Sequence, residues 1–436
     1  MPINNIPASL QAAIQQNFLE REFIAGLKSA LGYRRIADRE KVAINVGETV
    51  TKTRFGYKAP TVTPLIASGN TNLDNGMTPT PNTIEQYTLG INMYGDSIDL
   101  NVVTSQVGIA NQFLMNGRVN GMQARQSLDR LARNALFQTY LGGNTTVRTT
   151  LGAAGPTISV DNINGFQNVL VNGVMVPVST TNNVPGVTVN GTASTLTGVA
   201  ADASNVSVTP GGVSGTLTFA ANVTIANGTA GNAVVHPFAP SLFRAGAKST
   251  ALALTTGDVL TLGNLEDALA ALRNNTGYMG DVEVFLDNVS MRQLFSDSQF
   301  QLLYRGQYGS SEVQSLKIIH LLGMNFIPTT EAIVQANSGV NIRRPIMAMP
   351  GALVEGDFAG MREKASDFYQ NAEITMADDV CHVTRGPLDR LQQIVAQSWF
   401  WIGGFVAPTD VTATTSIIPT AGNQYWKRAI VVEHGS

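Results

Sequence analysis

Chemistry in a chain of 436 residues should show first in the residues able to move protons, hold metals or attack a carbon. Four histidines, His236, His320, His382 and His434, lie far apart with no metal-ligand spacing. The single cysteine, Cys381, precedes His382 directly. Adjacency in sequence does not make a nucleophile and its base, so Cys381 is read as a packed core thiol. Asp378, Asp379 and Glu363 are the one acidic set that could hold a cation, and they are read as solvated carboxylates. Gly246-Ala247-Lys248-Ser249-Thr250 has the flavour of a phosphate loop. It lacks a glycine directly before the lysine and a leading glycine at the required offset, so it is set aside. No Gly-X-Ser-X-Gly or His-Glu-X-X-His occurs. No catalytic, cofactor-binding or metal-ligating residue is therefore assigned, no cofactor is expected, and the chain is read as a non-enzyme.

The elements that would position any site say more. The chain is long enough for two or three domains with real cores. It is 44% hydrophobic and only 14% charged, with 42 glycines and a net charge of −3. That balance offers no basic field for nucleic acid. One cysteine excludes an intrachain disulfide and a cysteine-built zinc site. The first residues lack a basic start followed by an apolar run, so no signal peptide is expected. No uncharged apolar run reaches about 18 residues, so no membrane-spanning helix is expected. Low charge with abundant Gly, Asn and Thr fits a protein that hides surface against copies of itself.

The organising stretch is residues 104–141, read as one long helix. Val107, Ala110, Leu114, Gly117, Gly121, Ala124, Leu128, Leu131 and Ala135 step by three or four and share a stripe. Thr104 and Ser105 suit the N-cap, and Gly142-Gly143 the stop. Arg125, Asp129 and Arg133 are read as a solvated ladder. About 38 residues would span roughly 57 Å. The alternative is two helices broken near Gly117, since each internal glycine costs about 1 kcal/mol against alanine.

Before it, residues 1–44 read as a helical arm. Ser9 caps Leu10, Ile14, Phe18, Phe23, Leu27 and Leu31, Gly32 stops them, and Arg34, Arg35, Arg39 and Lys41 follow as a solvated face. Residues 48–57 and 84–94 alternate as two strands around a tip rich in Pro, Gly and Asn. An isolated two-stranded ribbon is marginal in water. It is therefore expected to lie on a neighbouring subunit.

The order of helical arm, GETVTKTRFGYKAPTVTPL, turn-rich tip, EQYTLGINMYGDSIDL and long helix resembles the major capsid proteins of tailed double-stranded DNA bacteriophages, the Hong Kong 97 type fold. In that family an extended-loop hairpin precedes a spine helix. Tyr94-Gly95-Asp96 stands where the hairpin returns to it. The resemblance implies an α+β chain divided as residues 1–44 (N-terminal arm), 45–103 (extended loop), 104–144 (spine helix), 145–262 (inserted β-rich domain), 263–365 (axial domain) and 366–436 (returning strands of the peripheral domain).

Residues 145–262 carry only Arg148, Asp161, Asp202, Arg244, Lys248 and Asp258 as charges. Short β-branched runs at 173–178, 186–189, 206–208, 216–219 and 222–225 alternate with Asn-Gly, Pro-Gly and Gly-Gly turns, the pattern of a small β-sandwich or barrel. Asn190, Asn205, Asn222 and Asn227 head Asn-X-Ser/Thr triplets, read as composition. Further on, Asn264 and Asn288 are expected to cap helices, with Gly277 ending the first. Residues 282–286, 321–328, 346–349 and 352–354 are expected as strands. Ile394, Ala396, Ser398, Phe400 and Ile402 alternate with Val395, Gln397, Trp399 and Trp401 as a long core strand, and Tyr425-Trp426 with residues 430–432 make a last one.

The resemblance implies copies assembling as pentamers and hexamers into an icosahedral head around DNA. It implies a separate scaffolding protein, a portal and a decoration protein as partners, weak non-specific DNA contact, no membrane, and a place in the virion after assembly in the host bacterial cytoplasm. Some members cross-link through an extended-loop lysine. Here no lysine occurs from 59 to 247, and Lys52 and Lys58 sit near the loop base, so a non-covalent shell is expected. The alternatives are an encapsulin-like bacterial cage, which the insertion opposes, and a β-rich surface adhesin, which the long helix opposes.

Overall fold

The computed structural model describes residues 23–24, 32–42, 49–55, 62, 84–101, 112–171, 174–307, 320–358, 372–385, 394–408 and 427–436. They carry strands β1 (Ala37–Val42), β2 (Thr49–Phe55), β3 (Ile84–Gly90) and β4 (Asn92–Asn101), then helix α1 (Gln112–Tyr140). Next come β5 (Asn144–Thr146), β6 (Gly155–Val160), β7 (Asn168–Val171), β8 (Val174–Pro177), β9 (Val184–Val189), β10 (Thr192–Ala201), β11 (Gly215–Val223), β12 (Ala233–Val235) and β13 (Leu242–Arg244). After them lie α2 (Leu262–Thr276), β14 (Val282–Leu286), α3 (Asn288–Ser296), α4 (Ser298–Gln307), β15 (His320–Leu321), β16 (Met324–Pro328), β17 (Val334–Asn337), β18 (Val340–Arg343) and β19 (Ile346–Ala348). The chain ends through β20 (Leu353–Phe358), β21 (Ala372–Ala377), β22 (Val380–Arg385), β23 (Ile394–Val406) and β24 (Ala429–Gly435). The protein is α+β, as expected. Two compact units form, residues 1–50, 88–135 and 353–406 in one and 51–87, 136–352 and 407–436 in the other.

The first unit is built on β23. Its alternation buries Gln397, Trp399 and Trp401 on one face. β22 and then β20 pair along one edge, while β4 pairs along the other from Asn92↔Gly403 to Asn101↔Ile394. Ala124 and Leu128 of α1 pack on Trp399, Trp401, Val380 and Phe23. The tryptophan stripe is therefore core, where truncating either ring would cost about 3–5 kcal/mol. Asn120 Nδ2 donates to the Gln397 carbonyl at 3.2 Å, and Trp399 Nε1 to Gln123 Oε1 at 3.2 Å.

Helix α1 runs unbroken through Gly117 and Gly121, both buried. Residues 102–111, including the expected start, lie outside the described residues. Two expectations on this helix are corrected. Leu131 and Ala135 are only half-buried, because after Leu128 the buried line advances by fours to Ala132, Leu136 and Tyr140. Asp129 is not solvated: it is 9% exposed and accepts the Arg34 backbone N–H at 3.3 Å. A Cβ on Gly32 would stand 2.1 Å from the Asp129 carboxylate, so any larger residue there would have to displace that side chain.

Arg34, Arg35, Arg39 and Lys41 follow Gly32 as a single 3-10 turn, Tyr33–Ile36, and the strand β1, parallel to β20. This strand replaces the solvated face expected there. β20 itself was expected with the axial segment 263–365, yet it pairs with β1 and β23. The returning hairpin strand, expected over 84–94, divides at Ile91 into β3, which pairs with β2, and β4, which pairs with β23. The arm before Phe23, the hairpin tip apart from Val62, and Tyr425-Trp426 lie outside the described residues.

In the second unit, residues 144–235 form a six-stranded antiparallel sheet in the order β5-β12-β9-β10-β11-β6. It closes on itself where Val147 bridges Val160, with Arg148 N–H to Ser159 O at 2.9 Å and Asp161 N–H to Thr146 O at 3.0 Å. The result is a small barrel with its own core, including Ile158, Val187, Val189, Leu196, Leu217, Phe219 and Val234. Its first and last strands, β5 and β12, are paired neighbours. Asn190 and Gly191, at φ 50° and 80°, make the tight turn from β9 to β10. Residues 206–208 are not the expected strand: the Asp161 carboxylate accepts the Val208 and Thr209 N–H groups and both the Ser207 and Thr209 hydroxyls, which claims that backbone for a loop. Residues 222–225 are likewise no separate strand, because β11 runs through to Val223.

The same unit holds an eight-stranded sheet, β15-β16-β14-β19-β24-β18-β17, with β13 also on β24. β24 is buried along its whole length, which explains its near-continuous apolar run. It was expected among the peripheral returning strands and lies instead at the centre of this sheet. Leu265, Ala268, Leu269 and Leu272 of α2 cover it together with Leu294 and Phe300. The helix caps fall three residues and one residue earlier than expected, respectively. Thr261 caps α2 by accepting the Asn264 N–H, and Asp287 caps α3 by accepting from Val289 and Ser290. Gly277 ends α2 in the left-handed conformation at φ 68°, as expected. The strand expected over 321–328 folds back at Leu322-Gly323 into β15 and β16.

Candidate assembly interface

The polar groups singled out for chemistry are taken up in packing. Cys381 is fully buried on β22, its Sγ 3.5 Å from Met376 Sδ, and burial pushes its thiol up to about 11. His382 lies on the opposite side of that strand with its ring 4.6 Å from Phe23, and burial lowers its pKa to about 4. His434 is buried on β24 with Nε2 2.7 Å from the Ser290 hydroxyl, and burial lowers it likewise to about 4. Asp287 meets that same hydroxyl and not the histidine, and Arg343 binds Asp287, so no relay runs from acid to base to nucleophile. His320 sits apart with Nδ1 2.9 Å from Asn325 Oδ1. The Gly246–Thr250 stretch is a kinked turn in which Lys248 pairs with Asp258 at 3.7 Å and Arg244 reaches the Ser249 carbonyl at 2.7 Å.

Asp378 and Asp379 form the left-handed turn between β21 and β22, at φ 48° and 65°. Asp378 stays solvated as expected, its side chain 45% exposed, and Asp379 is 25% exposed; both are also ion-paired, to cations of the Arg34–Lys41 segment. Arg34 Nη1 donates to Asp378 at 2.9 Å and Arg39 Nη1 at 2.6 Å, while Lys41 Nζ donates to Asp379 at 2.8 Å and to Asp357 at 3.3 Å. Burial and the neighbouring Asp379 raise Asp357. Burial would raise Asp379 too, but its bonds to Lys41 outweigh this and hold it low. Glu363 lies outside the described residues. Among the described residues no group of three His, Cys, Asp or Glu is placed to hold a metal ion. Sequence reading missed this network because its members stand more than 300 positions apart and no local spacing announces them.

Two surfaces are left for contact rather than chemistry. The ribbon β2–β3 joins no third strand among the described residues. It is rooted where Val50, Leu89 and Ile91 meet Ile402 and Val406. On α1, Met115, Val119 and Met122 are 52%, 49% and 42% exposed and recur at helical spacing. A solvated helix face is normally polar, so an apolar stripe here is an unspent contact surface. No described helix is long and apolar enough to cross a membrane.

No family model matches the chain, and no curated protein matches it. Solved structures do match. The capsid of cyanophage P-SCSP1u aligns over 93% of this chain and 90% of its own, at 10% identity and a TM-score of 0.48. The cyanophage Pam1 capsid asymmetric unit aligns over 94% of each chain, also at 10% and 0.48. The capsid of Ralstonia phage GP4 aligns over 92% of this chain and 87% of its own, again at 10% and 0.48.

Proposed function

We propose that this chain is a shell-forming structural protein, the major capsid protein of a tailed double-stranded DNA bacteriophage. Its copies associate as pentamers and hexamers and close into an icosahedral head. The observation that carries the reading is the order of parts around the ribbon: β2–β3 stands as a two-stranded sheet, β3 runs directly into β4 along β23, and the spine helix α1 follows. A ribbon of two strands gains stability by lying on another surface, and a neighbouring copy supplies one. The exposed stripe on α1 serves the same end.

Within this reading residues 1–44 are the arm, 45–103 the extended loop, 104–144 the spine and 145–262 the insertion that braces or decorates the shell. Residues 263–365 and 366–436 supply the axial and peripheral sheets, and the pairing of β20 with β1 and β23 and of β24 with β19 supports an exchange of these two strands between them. The role is structural rather than catalytic, and the shell is held without covalent cross-links. A separate scaffolding protein, a portal and a decoration protein are its partners. Contact with packaged DNA is weak and non-specific, in line with the net charge of −3. The site of assembly is the host bacterial cytoplasm.

Sedimentation velocity on the full-length chain, alone and with a scaffolding protein, tests this. Rings or shells far heavier than the 46.3 kDa chain are expected. A monomer under every condition would overturn the reading.

A further inference from the structure

Within the second unit, a cavity of about 40 Å³ has Thr145, Asp161 and Thr209 of the barrel on its wall, together with Arg244, Arg344 and Glu433. Two guanidinium groups share one carboxylate there. Arg344 Nε donates to Glu433 Oε1 at 2.8 Å, and Arg244 Nε to Oε2 at 2.7 Å. The Glu433 side chain is 3% exposed. Burial alone would raise its pKa, but the two arginines hold it below the usual carboxylate range. Both of its oxygens are thus occupied, and the triad carries one positive charge in excess.

That excess falls on Arg344. Its side chain is 1% exposed, and its Nη2 donates to the neutral Gln335 Oε1 at 2.5 Å. Nη1 is buried and meets no hydrogen-bond partner. A guanidinium stays charged in a protein, so it cannot escape burial by losing a proton. Natural proteins seldom leave such a donor unmet. Asp161 is the other carboxylate on the wall, and its own loop occupies it. Its Oδ1 accepts the Val208 N–H, and its Oδ2 accepts the Thr209 N–H and the Ser207 and Thr209 hydroxyls. Thr145 adds a donor. Its Oγ1 accepts the Asn162 N–H at 2.8 Å, which leaves the hydroxyl proton to give.

We propose that this cavity binds one monatomic anion of the halide class, held by Arg344 Nη1 and the Thr145 hydroxyl. Spare donors outnumber spare acceptors, and the triad's excess charge is positive, which favours an anion over a water. A water-sized particle needs about 10–15 Å³ of such space. The cavity therefore holds a small ion with a water or two, and a hydrated oxyanion is too large for it. The Asp161 charge on the same wall weakens the attraction, so the affinity is millimolar rather than tight. The bound ion links β5 of the barrel to the arginines that clasp β24. The inference is independent of whether the chain builds a shell.

Thermal unfolding of the full-length chain in sodium chloride, against sodium gluconate at equal concentration, tests it. The general effect of the two salts is common to all variants, so the readout is how the chloride increment in Tm changes with each substitution. The increment is expected to be about 1–3 °C larger in the wild type than in Arg344→Met. Thr145→Val should lie between them. Lys248→Met, at an ion pair with Asp258 outside this cavity, should keep the wild-type increment. Sodium bromide should serve as well as chloride. Should Arg344→Met fail to fold, Thr145→Val decides the matter. Equal increments in the wild type and the folded cavity variants would assign the space to water and overturn the proposal.

Discussion

The Arg34 guanidinium forks onto the Glu355 carboxylate, Nε to Oε2 at 2.9 Å and Nη2 to Oε1 at 2.5 Å, across 321 positions of sequence. The Glu355 side chain is 2% exposed and that of Arg34 11%. A pair of this kind adds modest net stability when intact, but removing one partner strands a buried charge. Arg34→Met is therefore expected to destabilise the chain by about 3–5 kcal/mol, read from the urea midpoint. The double variant Arg34→Met/Glu355→Met should recover much of the loss, because no orphan charge remains.

Gly404 faces the Gly90 carbonyl so closely that a Cβ would lie 1.9 Å from the oxygen. Neither partner is a flexible side chain, so the backbone of β23 would have to move. Gly404→Ala should cost about 1–3 kcal/mol by overpacking, seen as a lowered Tm. Gly90→Ala, which meets nothing within 4 Å, should cost less.

Acid should weaken the fold before the carboxylates titrate. Burial lowers His236 to about 3, and His382 and His434 to about 4. All three are therefore neutral when folded, while in the unfolded chain they take up protons below about pH 6.5. The unfolded state then binds more protons, and stability falls as pH drops from about 6.5 towards 4. Each residue contributes a slope of up to about 1.4 kcal/mol per pH unit. Above pH 7 their contribution is fully present. Urea unfolding at pH 7 and pH 5 measures the loss, and His382→Phe should reduce the slope.

The exposed stripe on α1 separates folding from association. Val119→Asp and Met122→Asp replace side chains 49% and 42% exposed, so the isolated chain should change in stability by no more than about 0.5 kcal/mol. Association should weaken sharply, because a charge would be buried without a partner in any contact made there. Thermal unfolding and sedimentation of the same samples distinguish the two effects.

How much was legible in the amino-acid order depends on how local the cause was. The alternation of Gln397, Trp399 and Trp401 and the Asn190-Gly191 turn are local, and both read correctly. The barrel could be read as a class from turn spacing, but its longest strands could not, because Thr192–Ala201 mixes Gly, Ala and Thr on both faces. Val206 and Val208 looked like strand residues, yet both are 55% exposed, since Asp161, more than forty residues earlier, holds their loop. Asp129 looked like a surface charge because the group that covers it, the Arg34 backbone, is 95 positions away. The Arg34–Glu355–Asp378 network is a product of tertiary approach, and no spacing encodes it. The chain-wide order of hairpin, strand and long helix was legible, because successive elements set it.

The most direct test of the central claim is electron microscopy of the full-length protein expressed with a scaffolding protein. The shell reading predicts closed particles built of five- and six-membered rings, with the β2–β3 ribbon lying on an adjacent copy. Only dispersed monomers, or particles in which the ribbon touches no neighbour, would contradict it.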